Sequence, residues 1–295
     1  MPGWTLIDTH PAQGRTFQRP LDVIELKFLW DGLFNGTADS LQWFELRILH
    51  ASRDARLYSA ANIVRAWVST KRRYPLAGAK VQGADGAPLQ MKVATGSKVN
   101  NGTGFTSEPH FVVREHDLAV VRPCEIVFGH VASTEEAQKR IATILDGPRP
   151  LSENLLAQLY VFRETGSERT DVLHLSVLMA HCVTDGIANS TLARCLLDTL
   201  ARGEPEPSQL PLEERLAMAI PSMDLHLRSL SLARQRWRRA VGIVIFRLRM
   251  AKRQVGAIFS CRSPFSRTTN HCHREAIHFR VASLIRHRML PHDPV

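Results

Sequence analysis

DVLHLSVLMAHCVTDGIANSTLARCLLDTLAR, residues 171–202, is the stretch around which the rest of the chain is organised. Its first part, residues 172–180, is apolar and partly β-branched, and only His174 and Ser176 interrupt it. A run of this length and composition predicts a mostly buried strand rather than a helix. The remaining residues of the stretch, 181–202, follow this strand and need a separate interpretation.

A helix is predicted after a short loop that follows this strand. Apolar or small residues recur at helical spacing over residues 187–199, and Gly203 with Pro205 behind it is typical of a helix end. Thr184 or Asp185 is predicted to cap the first turn. The stretch therefore predicts a buried strand, a loop and an amphipathic helix.

The predicted loop contains His181, Asp185 and Gly186. Histidine titrates near neutral pH, so a neutral imidazole at the end of a core strand can take a proton from a hydroxyl or amine that attacks an acyl carbon. Asp185 is better placed to cap the helix or to pair with an arginine. Gly186 gives the turn conformational freedom and leaves room beside the ring. We expect His181 to be the catalytic base and the other two residues to be structural.

The segment HCVTDG, residues 181–186, resembles the H-x-x-x-D-G motif of the chloramphenicol-acetyltransferase-like, CoA-dependent acyltransferases. That group includes BAHD enzymes, alcohol acetyltransferases and the condensation domains of peptide synthetases. The resemblance implies that His181 is the general base, that Asp185 is structural, and that the acyl group arrives as a thioester on CoA or on a carrier protein. Condensation domains have a further histidine where this chain has Ala180, which favours the acetyltransferase branches.

The opening of the chain also resembles this family. A helical apolar period begins at Leu57, and the segment closes with Tyr74, Pro75 and Leu76, similar to the helix that precedes the histidine motif in family members. An amphipathic helix followed by a proline is also common in any α/β protein, so this observation leaves both interpretations open.

Strands and helices are predicted to alternate irregularly through the first two thirds of the chain. The pattern indicates an α/β (α+β) fold, a mixed β-sheet with helices packed on it, and the resemblance implies a chloramphenicol-acetyltransferase-like lobe. Residues 1–20 show no regular pattern. Residues 23–30 are predicted to form a first strand and residues 41–49 a second strand that pairs with it across a turn at Asn35-Gly36. The other predictions are a hairpin at residues 80–93 turned at Asp85-Gly86, strands at 111–115, 124–131 and 159–163, and helices at 135–145 and 212–219.

Two segments are predicted, residues 1–203 and residues 204–295. The Glu and Pro residues at 204–207 suit a stiff linker. Members of the resembling family have a second lobe with a D-F-G-W-G motif, which this chain lacks. We therefore expect the second segment to contain a crossover linker, a basic helix at residues 225–255 and an incomplete or divergent second lobe, so that most of that lobe is missing.

The charge is concentrated in the tail. The chain has a net charge of +10, yet residues 228–295 hold 15 of the Lys and Arg residues against 2 acidic ones, while residues 1–227 are slightly acidic. Such a tail indicates binding to nucleic acid, an anionic membrane or a phosphorylated ligand, or a sequence that no fold constrains. No specific nucleic-acid partner is expected, and the basic helix suits a solvated or partner-facing position.

Composition excludes several other classes of protein. A hydrophobic content of 44% and a charged content of 22% over 295 residues are typical of a globular protein. The five cysteines form no C-x-x-C pair, which predicts reduced thiols, and no signal peptide or transmembrane segment is visible, so a cytoplasmic location is expected. Cys261 with residues 271–273 has no tetrahedral zinc spacing, so no metal is expected.

Two hypotheses of different classes follow. The first is an acyltransferase that moves an acyl group from acyl-CoA, a co-substrate rather than a bound cofactor, to an alcohol or amine acceptor with His181 as the base. The alternative is a truncated, non-catalytic relative that acts as a binding or scaffold protein. An exposed apolar lobe face would then favour self-association.

Overall fold

The computed structural model describes residues 3–12, 14–36, 39–49, 58–84, 86–89, 107–164, 170–202, 210–219 and 279–285, and the single positions 237, 241 and 244. The chain divides into one unit formed by Met1–Pro221 with Ile277–Val295 and another formed by Ser222–Ala276. In the second unit, positions 237, 241 and 244 are helical. The rest of the predicted basic helix, Cys261 and residues 271–273 lie outside the described residues.

The described part of the first unit alternates strands and helices. Its strands are β1 (Thr5–His10), β2 (Gly14–Pro20), β3 (Asp39–Leu49), β4 (Lys80–Gly83), β5 (Pro109–Arg114), β6 (Ile126–Val131), β7 (Ala157–Glu164), β8 (Thr170–Ala180) and β9 (Phe279–Ile285). Its helices are α1 (Val23–Asn35), α2 (Ala60–Arg73), α3 (Glu115–Ala119), α4 (Thr134–Asp146), α5 (Gly186–Arg202) and α6 (Leu212–Met218). The predicted α/β class with a mixed sheet is confirmed.

Two sheets form among these described strands. The smaller has the order β1-β2-β5-β4 and is antiparallel throughout, and the larger has the order β6-β7-β8-β3-β9. In the larger sheet only β6 and β7 run parallel, while the other neighbours are antiparallel. The strand predicted at residues 172–180 is therefore β8, the central strand of the larger sheet, and it is flanked on both sides.

Helix α5 lies on one face of this larger sheet. The side-chain amide of Asn189 donates to the hydroxyl of Ser40 at 2.9 Å, and that of Gln42 donates to the hydroxyl of Ser190 at 2.6 Å. Asn189 and Ser40 are both buried, so these bonds satisfy polar groups that have little access to water. They tie α5 to β3, and β3 pairs along its whole length with β8. The loop between β8 and α5 is thus held at both ends.

The segment at residues 23–30 is helix α1, so the predicted strand there is wrong. The carboxylate of Asp22 accepts from the backbone N–H of Glu25, and the Glu25 carboxylate accepts from the N–H of Asp22, which is a complete capping box. Glu25 also makes a buried ion pair with Arg19 at 2.8 Å. The predicted pairing of residues 41–49 with this segment is wrong for the same reason, and β3 pairs with β8 and β9 instead.

Three strands escaped prediction. β1 and β2 form an antiparallel hairpin within residues 1–20, where no regular pattern was visible. β9 comes from the basic tail, yet it pairs antiparallel with β3 from Leu46 opposite Phe279 to Ser40 opposite Ile285.

In the segment predicted as a hairpin at residues 80–93, β4 pairs with β5, and residues 90–93 lie outside the described part of the chain.

Candidate active site

His181 directly follows the last residue of β8. The backbone N–H of Ala180 donates to the carbonyl of Leu156 at 2.9 Å, and the N–H of Val183 donates back to the carbonyl of Ala180 at 3.1 Å, which closes a tight turn. The imidazole of His181 is half-buried and packs against the ring of Phe28 in α1, with the ring centroids 4.2 Å apart. The end of a rigid strand and an aromatic contact therefore position this side chain.

A hydrogen bond defines the tautomer of His181. Its Nδ1 lies 2.5 Å from the backbone carbonyl oxygen of Thr184. A carbonyl oxygen can only accept, so Nδ1 carries the proton, and in the neutral ring Nε2 holds the free lone pair. None of the described residues makes a hydrogen bond to Nε2. The loop thus presents Nε2 as a proton acceptor.

Asp185 caps helix α5. Its carboxylate accepts from the N–H of Ala188 at 2.7 Å, and its carbonyl accepts from the N–H of Asn189 at 2.9 Å. The side chain is exposed, and no described residue forms an ion pair with it. Gly186 is the first residue of the helix. Of the two sequence-derived options for Asp185, this geometry shows capping.

Replacing Asp185 by alanine is expected to lower the free energy of unfolding by about 1 kcal/mol, because the N–H of Ala188 loses its acceptor. Asp185→Asn retains a capping oxygen and is expected to change the free energy of unfolding by only about 0.3 kcal/mol. Urea denaturation followed by circular dichroism measures both. Equal losses in the two variants would contradict a capping role.

A buried ion pair between Arg149 and Asp39 lies next to the turn that follows β8, and the sequence did not predict it. Arg149 donates two hydrogen bonds to the carboxylate of Asp39, at 2.7 and 2.8 Å, and Asp39 lies opposite Ala180 in the register of β3 and β8. The same guanidinium packs so closely on Gly32 of α1 that a Cβ there would lie 2.9 Å from it. Arg149 therefore connects α1, which carries Phe28, to the strand end that carries His181.

Cys182 is not a candidate nucleophile, although it is the neighbour of His181. The thiol is buried, and burial raises its pKa to about 12. A thiolate is the reactive form of cysteine, and almost none forms near neutral pH at such a pKa. The loop therefore offers an imidazole but not a sulfur nucleophile.

The raised pKa of Cys182 predicts an alkaline loss of stability. An unfolded thiol has a pKa near 9.0, so between pH 9 and 12 the unfolded chain releases a proton that the folded chain keeps. The free energy of unfolding then falls as pH rises, by up to about 1.4 kcal/mol per pH unit, while below pH 9 the contribution is fully present.

Urea denaturation at pH 8 and pH 10 checks this expectation. Cys182→Ala is expected to show a smaller decline between the two pH values than the wild-type protein, and Cys124→Ser, which alters an exposed thiol, is expected to decline like the wild type. A decline that is equal in all three proteins would contradict the assignment to Cys182.

Within the residues that the structure describes, no group of His, Cys, Asp and Glu side chains is arranged to hold a metal ion. In the same part of the chain, every helix is too short or too polar to cross a lipid bilayer.

Comparison with known proteins yields similar solved structures only. No protein-family model matches the chain, and no curated protein matches it. TRI3 trichothecene 15-O-acetyltransferase from Fusarium sporotrichioides is 12% identical with a TM-score of 0.46, over 78% of this chain and 41% of that protein. TRI101 of F. sporotrichioides, complexed with coenzyme A and T-2, is 14% identical with a TM-score of 0.41, over 69% and 45%.

A third similar structure is the condensation domain of the Monacolin K polyketide synthase MokA. It is 13% identical with a TM-score of 0.42, over 86% of this chain and 45% of that domain. The chain thus spans less than half the length of each of these three proteins. With TM-scores below 0.5, these likenesses add no argument about chemistry, which rests on the geometry around His181.

Proposed function

We propose that the protein transfers an acyl group from an acyl-CoA thioester to an alcohol, with His181 as the general base and Asp185 and Gly186 as structural residues of its loop. The observation that carries the proposal is the hydrogen bond from Nδ1 of His181 to the carbonyl of Thr184, since it leaves Nε2 as the proton acceptor. The class of acyl donor comes from the resemblance of HCVTDG to the acyltransferase motif.

The proposed reaction uses His181 twice. Nε2 removes the proton from the acceptor hydroxyl while that oxygen attacks the thioester carbon, giving a tetrahedral intermediate and an imidazolium. The intermediate then collapses, the carbon–sulfur bond breaks, and the imidazolium returns its proton to the departing CoA thiolate. The products are an ester and free CoA, and the ring is again neutral. An amine acceptor would react in the same way to give an amide.

The rest of the loop contributes order rather than proton transfer. The Thr184 carbonyl keeps the proton on Nδ1, and it also stabilises the imidazolium, in which Nδ1 remains a donor. Phe28 restricts the ring from one side. Holding a base in one orientation contributes to catalysis because the attacking hydroxyl then meets it in a productive geometry.

Thiol release from acetyl-CoA tests the proposal. The full chain is incubated with acetyl-CoA and a panel of alcohols and amines, and free CoA and the acylated acceptor are quantified by mass spectrometry, which avoids interference from the protein's own thiols. Acceptor-dependent release above the buffer rate is expected. A protein shown by circular dichroism to be folded that produces neither CoA nor ester across the panel would overturn the assignment.

A further inference from the structure

A cavity of about 410 Å³ lies beside the loop between β8 and α5, among α5, α6 and the Pro75–Gly78 turn that follows α2. Apolar side chains form most of its wall, including Leu76, Met179, Leu192 and Met218. A volume of this size falls within the range of roughly 300 to 1,000 Å³ that small-molecule sites occupy in proteins. The apolar wall favours an apolar body in any occupant.

Arg215 of α6 lines the same cavity, and the charges of the nearby carboxylates Glu115 and Glu213 act on it without forming a salt bridge. Its Nε donates to the carbonyl of Leu210 at 3.1 Å, while its Nη1 is buried without a hydrogen-bond acceptor. The neighbouring carboxylates of Glu115 and Glu213 are both paired with Arg15. No described carboxylate forms a salt bridge with Arg215.

The guanidinium of Arg215 is half-buried. Burial lowers its pKa and the positive charge of Arg72 lowers it further, while the carboxylates of Glu115 and Glu213 oppose that shift. A second arginine, Arg73, lines the cavity as well. A carboxylate fits the guanidinium fork of an arginine with two parallel hydrogen bonds. The two arginines that line the cavity therefore make it complementary to an anion.

We propose that this cavity binds a monocarboxylate with an apolar aliphatic or aromatic body, whose carboxylate pairs with Arg215. The site is additional to the proposed base, because His181 is not among the residues that line it. Val183 and Thr184 do line it, and the Thr184 carbonyl holds Nδ1 of His181. An occupant therefore packs against the loop that orients the base, and the site exists whether or not acyl transfer occurs.

Isothermal titration calorimetry of the full chain with octanoate, in the absence of acyl-CoA, tests the site. One-to-one saturable binding is expected, and octan-1-ol, with the same chain length and no charge, is expected to bind about tenfold more weakly. Arg215→Gln is expected to reduce octanoate affinity by about tenfold or more and to leave octan-1-ol affinity unchanged. Arg65→Gln, an exposed arginine on α2 that bonds Asn62, serves as the matched control.

Two further variants separate this site from the proposed reaction. His181→Ala is expected to bind octanoate like the wild type, whatever its acyl-transfer activity. Thr191→Trp, which places an indole at the wall of the cavity, is expected to abolish octanoate binding, and it keeps the test decisive if Arg215→Gln does not fold. Absence of saturable octanoate binding, or unchanged affinity in a folded Arg215→Gln or Thr191→Trp protein, would overturn the proposal.

Discussion

His181→Ala is expected to lower the rate of acyl transfer by about 10²- to 10⁴-fold, the usual contribution of a general base. The hydrogen bond to Thr184 occupies Nδ1 of the imidazole, so Nε2 is the ring nitrogen that can accept a proton. The variant removes this nitrogen. The fold is expected to survive, because the imidazole is only half-buried and β8 and α5 are held by contacts that do not involve it.

The rate is measured as kcat/KM for CoA release with the best acceptor of the panel. His116→Ala, which removes an exposed histidine of α3, is the matched control and is expected to retain the wild-type rate. Circular dichroism shows whether both variants are folded. Unchanged turnover in a folded His181→Ala protein would remove His181 from the mechanism.

Glu125→Ala is expected to lower the free energy of unfolding by about 3 to 5 kcal/mol, the usual cost of removing one partner from a buried ion pair. Glu125 and Lys71 are both fully buried, and Nζ of Lys71 lies 2.9 Å from the carboxylate. Burial lowers the pKa of Lys71, and the charge of Glu125 opposes that shift. Without Glu125, the ammonium of Lys71 remains in the core, and its acceptors among the described residues are then the backbone carbonyls of Asp117 and Val120.

Urea denaturation at neutral pH measures this loss. Glu214→Ala, an exposed carboxylate on α6, is the control and is expected to change the free energy of unfolding by less than about 0.5 kcal/mol. The double variant Lys71→Met with Glu125→Leu is expected to recover part of the lost stability, because it removes the ammonium together with the carboxylate but leaves Arg122, which also pairs with Glu125, without that partner. A single Glu125→Ala variant as stable as the control would show that the pair contributes little.

Local pattern was sufficient for the elements that surround the candidate site. The apolar run before His181 predicted β8, and the helical period after Gly186 predicted α5, because a buried strand and an amphipathic helix each have their own side-chain period. The same stretch predicted a loop with a histidine at its start and left Thr184 and Asp185 as the two candidate caps of the helix, of which the structure shows Asp185. Where the apolar run was ambiguous, as at residues 23–30, the prediction was wrong, although the Asp22 and Glu25 capping pair was a usable signal for a helix.

The sequence did not predict which strands and ion pairs form between segments that are far apart along the chain. β9 lies in a basic tail, and its partner β3 is more than two hundred residues away along the chain. The ion pair of Arg149 with Asp39 joins residues separated by 110 positions. No periodicity encodes such contacts, since their formation depends on closing long loops and on the packing available at the other end.

The sequence by itself determined that a buried strand ends in a histidine and that a capped helix follows, because these features depend on neighbours within a few turns of chain. Only the tertiary structure decided which nitrogen of His181 carries the proton, that Phe28 and Arg149 support its position, and that Arg215 lies in an apolar cavity beside the loop. The bond from His181 to Thr184 lies within one loop, and the other contacts join separate elements. Folding removes these groups from water, so each of them can bond only to the partners that packing brings within reach.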